Sequence, residues 1–317
     1  MIVIFGINLK YLLIFKVTNY YNHHSVVNSG MIWLLFAFLT ALFESLKDVA
    51  SKRGLQRFDE YVIAASLILF QLPFLVPLLF FIEIPDIGEN FWSALVAGTG
   101  LNLIAITFYI KAIKVSDLSI TVPIVNLTPL FLLVTSPVIL GEYPSPLGYP
   151  GILLIVVGAY VLNIKSTDRG YLGPIRSLFS QRGPRYMAVT AFFWSISANV
   201  DKVGVLNSSP VFWAISIVMS LGVGMGIIMV VQSRKHIQEI PQNLRILFPI
   251  GFFGAVTLLA QMTAISLTLV AYVISVKRLS TALSVIWGHV LFKEVNIKER
   301  LAGVFIMIAG VILITLA

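Results

Sequence analysis

Ten apolar runs follow one another from Met31 to the end of the chain. Their approximate limits are 31–51, 61–82, 91–113, 118–140, 147–164, 185–203, 210–232, 245–267, 270–292 and 300–317. A helix of about 20 apolar residues crosses roughly 30 Å of hydrocarbon. Backbone exposed to lipid must satisfy its own hydrogen bonds. The pattern therefore predicts an all-α membrane protein of ten transmembrane helices. Short breaks rich in charge, Pro and Gly separate the runs, among them "KRGLQRFDE", "EIPDIGEN", "GEYPSP", "RKHIQEIPQN" and "KEVNIKER".

The longest break, residues 165–184 ("KSTDRGYLGPIRSLFSQRGP"), is a basic linker that divides the runs five and five. Overlaying the halves exposes a repeat. At an offset of 152, Ala112-Ile113 meets Ala264-Ile265, Leu127 meets Leu279, Glu142 meets Glu294, and Gly151 and Gly158 meet Gly303 and Gly310. At an offset of 150, "TALFES" (40–45) meets "TAFFWS" (190–195), and Lys52 and Gly54 meet Lys202 and Gly204. The expected units are residues 31–164 and 185–317. Five spans per unit is an odd number, so the second unit enters the membrane from the opposite side, as two inverted five-helix repeats. Such repeats are characteristic of alternating-access transporters. Residues 1–30 stand apart: "MIVIFGINLKYLLIFKV" is short and interrupted by Lys10, with no small-residue cleavage site, and reads as an N-terminal extension or interfacial segment.

Composition agrees, with 58% hydrophobic residues, 11% charged residues and a mean hydropathy of +0.94, against about 25% charged in soluble domains. The net charge of +8 is no nucleic-acid footprint, because sixteen of the 22 Lys and Arg fall in or beside the loops after spans 1, 3, 5, 7 and 9. The positive-inside rule places those loops in the cytoplasm and the C-terminus outside. The location implied is a bacterial-type plasma membrane, with multiple passes. Cysteine is absent, which excludes disulfides, thiolate metal sites and Cys nucleophiles. No cofactor or metal is implied.

Charges inside the spans change the picture most. Lys277 and Arg278 interrupt "AYVISVKRLSTALSVIWGHVLF" (271–292), where each cation costs about 2.5–3.5 kcal/mol near a bilayer centre. At 100° per residue, Val276, Leu279, Leu283, Ile286 and Val290 form one stripe, and Lys277, Ser280, Thr281, Ser284 and Gly288 another. Such a helix buries one face and presents the other to a cavity. In the first span, Glu44, Lys47, Asp48 and Ser51 share a face at i, i+3, i+4 and i+7. Two readings stand: the carboxylates neutralise the cations structurally, or all five charges face one cavity. In the second case three cations oppose two carboxylates, which favours an anion or the carboxylate end of a zwitterion.

Weaker candidates follow. Pro123 and Pro129 flank Asn126 in the fourth span, as a broken helix lining the site or as a packing kink. Gln261, Asn102 and Asn199 are suited to hydrogen-bond substrate or neighbouring helices. Glu142 and Glu294 precede the fifth and tenth spans and read as complements of those helix N-termini. The Gly pairs in the same spans read as close packing. "SLGVGMG" (220–226) suits a helix contact within the chain or in a homodimer.

Three stretches, "WLLFAFLTALFESLKDVASKRG" (33–54), "SITVPIVNLTPLFLLVTSPVILGE" (119–142) and "ISVKRLSTALSVIWGHVLFKE" (274–294), resemble EamA-type ten-helix members of the drug/metabolite transporter superfamily. The duplicated Glu before the last helix of each half is a hallmark of that family. The resemblance covers residues 31–317 and implies a transporter of amino acids, other metabolites, sugars or drugs. The family usually has cytoplasmic termini, against the loop count above. "VKR" (276–278) is also similar to the Lys-Arg pair in the ninth helix of the plastid sugar-phosphate translocators, which implies anion binding at Lys277 and Arg278. The rest of that branch's phosphate site has no counterpart here.

The function expected is secondary active transport, by export or exchange, of a small polar metabolite that is anionic or carboxylate-bearing, at a midplane cavity between the repeats. The substrate-binding candidates are Lys277, Arg278, Ser280, Thr281, Glu44, Lys47, Asp48, Asn126 and Gln261. With no "GxxxxGK[ST]" to couple ATP hydrolysis, a coupling proton or counter-substrate supplies the drive. The partners are a small-molecule substrate, the lipid bilayer and a second copy in a homodimer, with no nucleic acid. The alternatives are a membrane-embedded enzyme, for which no dense acidic or His constellation is present, and a receptor.

Overall fold

The computed structural model describes residues 31–54, 57–58, 60–116, 121–164, 180–232, 240–292 and 297–317. The N-terminal extension, most of the 165–184 linker and Glu294 lie outside the described residues. Ten helical spans are present among the described residues. In the first half they are α1 (Ile32–Gly54), α2 (Glu60–Leu69, continuing through short turns to Phe80), α3 (Phe91–Val115), α4 (Val122–Leu140) and α5 (Gly148–Ile164). The second half has α6 (Arg182–Leu206), α7 (Pro210–Gln232), α8 (Leu244–Leu267), α9 (Val270–Phe292) and α10 (Ile297–Thr315).

The packing obeys the repeat. The chief contacts are α5 with α10, α2 with α7, α3 with α6, α1 with α8, α4 with α6 and α9 with α1. Exchanging each helix for its counterpart five spans on maps this set onto itself. The two halves are thus inverted repeats about a pseudo-twofold axis in the membrane plane. The axis passes between α5 and α10, which cross on reciprocal glycines. A Cβ on Gly158 would lie 2.7 Å from the Gly303 carbonyl oxygen, and one on Gly310 would lie 2.6 Å from that of Gly151. Side chains here would hold the backbones apart, so the glycine pairs are packing elements.

The central helices are the polar ones. Six described segments are long and apolar enough to cross a membrane, and neither α1 nor α6 is among them. Helix α1 carries Glu44, Lys47 and Asp48, and α6 carries Asn199, Asp201 and Lys202. Both are covered by neighbours: α1 by α8 and α9, α6 by α3 and α4. Asn102 Nδ2 donates to Ser197 Oγ at 2.6 Å. Asn199 joins Ser136 and Thr135 of α4. These two asparagines therefore serve helix contacts. In "SLGVGMG", Gly222 meets Leu69 and Leu72 of α2 and Gly224 meets Leu103 of α3, while Gly226 faces open space.

Candidate functional site

Two equivalent spans are not continuous α-helices. Helix α4 opens as a 3-10 turn, Val122–Leu127, and becomes α-helical from Thr128. Pro123 and Pro129 each withhold a backbone N–H from the helical ladder, which accounts for the irregular first half of this span. Helix α9 is interrupted at Arg278, between segments Val270–Lys277 and Leu279–Phe292. The Arg278 N–H reaches the Ser275 carbonyl at 3.0 Å. Treating 270–292 as one uninterrupted helix missed this break. Its two-faced character nevertheless holds: Val276 and Leu279 line an apolar groove of about 430 Å³ with Met31, Leu34 and Ile308, away from the polar residues. Discontinuous helices free backbone groups and aim side chains at a midplane site.

A lysine from α1 and a lysine from α9 meet on one carboxylate oxygen. Glu44 Oε2 is 2.6 Å from Lys47 Nζ and 3.7 Å from Lys277 Nζ. Lys277 also donates to Gln261 Oε1 of α8 at 2.8 Å. Glu44, Lys47 and Lys277 keep 16%, 19% and 17% of their side-chain surface accessible, so the network borders open space. Asp48 is exposed on the same face of α1. It makes no hydrogen bond or ion pair among the described residues. Arg278 is half-buried, its Nε has no partner, and its charge lies within Coulomb range of Glu44 and Asp48. Three cations and two carboxylates thus form one cluster of net charge +1. On α9, Thr281 Oγ1 donates to Asn126 Oδ1 at 3.3 Å, joining the two broken helices. Ser280 is buried, and Ser284 Oγ is buried without a partner. Trp287 Nε1 donates to Ser45 Oγ at 3.0 Å, fastening α9 to α1 beside the cluster.

Sequence patterning missed an aromatic half of the same region. Tyr109 of α3 and Trp194 of α6 lie with ring centroids 5.8 Å apart. Tyr109 is within electrostatic reach of Asp48 and Glu44. The repeat offsets contained the signal. Trp194 stands where Glu44 stands in the first half, Tyr109 where Gln261 stands in the second, and Asn126 where Arg278 stands. One half-site is charged; its mirror is aromatic and amide-bearing.

The model of one family matches in two copies, over residues 31–164 and 181–316. The chain belongs to the EamA-like transporter family. Members of this family are transporters, and this one is a multi-pass membrane protein whose partners include a small-molecule substrate and lipid. A solved structure titled only "Crystal structure of protein" matches at 14% identity with a TM-score of 0.70, over 91% of this chain and 97% of its own. That likeness concerns the fold alone. No curated protein sequence matches.

The expectation for Glu142 needs one correction. It does not complement the start of α5; its Oε2 accepts the N–H of Val270, the first residue of α9, at 3.0 Å. The cause is local: Gly141, at φ 69°, ends α4 in the left-handed conformation, its N–H on the Pro137 carbonyl, and directs the next residue across the repeat boundary.

Proposed function

We propose that this EamA-like transporter moves a small metabolite bearing a carboxylate or other anionic group across a bacterial-type plasma membrane, driven by a gradient. The supporting observation is Arg278: a cation at a helix break inside the membrane, its Nε unpartnered, beside a lysine already balanced by Glu44 and Gln261. An intramembrane ion is expensive unless something pairs with it, and the net positive cluster suits an anion. Lys277 and Arg278 hold the anionic group. Glu44 holds Lys277 in its absence, and Thr281 and Asn126 set the relation between α9 and α4. Substrate competes with Glu44 for the cations, and a proton or counter-substrate that neutralises or replaces the freed carboxylate completes the cycle. The accessible face of α1, at Asp48, points the cleft toward the lysine- and arginine-rich loops, which the positive-inside rule assigns to the cytoplasm.

A thermal-shift panel on purified protein tests this reading. Phosphorylated sugars, carboxylates, amino acids and cationic drugs are compared on wild type and on Lys277→Ala/Arg278→Ala. A ligand at 100 times its Kd adds about 2.7 kcal/mol to the folded state. Anions are expected to stabilise wild type and not the double variant. Equal responses from the two proteins would remove the pair from the substrate site.

A further inference from the structure

The end of the molecule opposite the lysine- and arginine-rich loops is closed by a buried ion pair that the substrate site does not use. Glu142, on the turn after α4, pairs with Lys202 of α6. The two residues are only 8% and 1% exposed. Lys202 Nζ also donates to the carbonyl of Thr268, where α8 ends, at 2.8 Å. The second oxygen of Glu142 accepts the N–H of Val270, where α9 begins. Nearby, the Ser145 N–H donates to Tyr272 Oη at 3.0 Å. A single carboxylate from the first repeat thereby holds α6 and α9 of the second, and through Lys202 the end of α8 as well.

The same position in the first repeat differs in exposure. Lys52 is the counterpart of Lys202. In an inverted repeat, equivalent residues lie at opposite ends of the molecule. Lys202 is sealed in, whereas Lys52 is exposed. Sequence-equivalent lysines in unequal environments are what an inverted-repeat carrier presents when one end is shut and the other open.

We infer that Glu142 and Lys202 form the latch that shuts the cleft at this end, and that the transport cycle breaks and remakes it. The inference rests on the transport activity of the family and is independent of which substrate is carried. A buried pair suits the task. It contributes little net stability over an apolar contact, because both charges regain full hydration once the end opens, whereas an apolar plug would resist wetting. The latch also positions the site. Val270 and Lys277 bound one helical segment, about 10 Å apart at 1.5 Å per residue, so freeing the first moves the second.

The chain has no cysteine, so single reporters can be read without background. Ser275→Cys places one at a fully buried position in the α9 segment between the latch and Lys277. Ser51→Cys places another on α1 at the opposite end. Each is labelled with a small maleimide in nanodiscs, with and without Glu142→Gln, which keeps an acceptor for the Val270 N–H and removes only the charge. The expected result is reciprocal: labelling at position 275 rises at least tenfold while labelling at position 51 falls. Lys202→Met should reproduce this shift, and Lys202→Arg should retain the wild-type pattern. Unchanged rates at both reporters would overturn the latch. So would a rise at both, which denotes loosening of the whole fold. Because no substrate is added, failure of the anion panel leaves this test untouched, and failure here leaves the anion reading untouched.

Discussion

Asn126 and Arg278 occupy the same position in the two repeats, 152 residues apart, and each lies at the irregular point of its helix. Thr281, one turn beyond Arg278, donates to Asn126, so the two breaks are tied together across the repeat boundary. One break offers a cation and the other an amide. A duplicated fold has thereby produced a site with unlike halves, which can orient a substrate where two identical halves could not.

The Thr281–Asn126 bond should appear as coupling between the two residues. Interhelical hydrogen bonds in membranes average about 0.6 kcal/mol in double-mutant cycles. Thr281→Val, Asn126→Ala and the double variant, unfolded by SDS titration, are expected to give a coupling of about that size. Strict additivity would mean that the contact carries no energy.

Glu44 shares one oxygen between Lys47 and Lys277 and therefore competes with any anion that binds there. Glu44→Gln removes the competitor and raises the net charge of the cluster by one. The variant should unfold more readily when empty, since breaking a buried pair strands its partners. It should also bind the anion that protects wild type more tightly, by severalfold. Calorimetric titration separates the outcomes: weaker anion binding would make Glu44 a substrate ligand or an essential support for the site.

Much of this architecture was legible in the sequence because hydrophobic length and an odd repeat both have unambiguous physical consequences. Ten runs near 20 residues dictate helical spans, and five per half dictates inversion. Pro123 and Pro129 marked α4 as irregular but left a broken helix and a packing kink both open. The break in α9 was not legible, because no Pro or Gly stands at 277–279 to mark it. Glu142 misled for a related reason. A carboxylate near a helix start is read most simply as serving that helix, and only the three-dimensional turn at Gly141 carries it to α9. The aromatic half-site escaped notice because Tyr109 and Trp194 look like ordinary membrane residues until the repeat superposes them on Gln261 and Glu44.

The α5–α10 crossing predicts a steep dependence on side-chain size. Gly158→Ala sets a Cβ 2.7 Å from the backbone oxygen of Gly303, and backbone cannot move aside as a flexible side chain can. Overpacking of this kind costs about 1–3 kcal/mol. Gly226→Ala is the control, because nothing lies within 4 Å of its added Cβ. There the gain in helix propensity, up to about 1 kcal/mol, should leave the thermal midpoint unchanged or slightly raised. Equal losses at both positions would contradict the crossing geometry.

Trp194 offers a reading of the cleft that needs no substrate. Its ring lies against Tyr109, which is within electrostatic reach of Glu44 and Asp48, so a small anion drawn to the cluster should collide with it. Of the five tryptophans, Trp33 and Trp213 are buried and Trp92 is 65% exposed. Trp287 bonds Ser45 beside the cluster and would report there too, so in a Trp92→Phe/Trp287→Phe background iodide should quench fluorescence more than its bulk concentration accounts for, while neutral acrylamide shows no such excess. Trp194→Phe should abolish most of the excess, and Lys277→Ala/Arg278→Ala should reduce it with Trp194 still in place. The excess should also shrink as added chloride screens the cluster. If the Lys277/Arg278 variant quenches like its parent, the two cations do not share a water-filled space with the aromatic half.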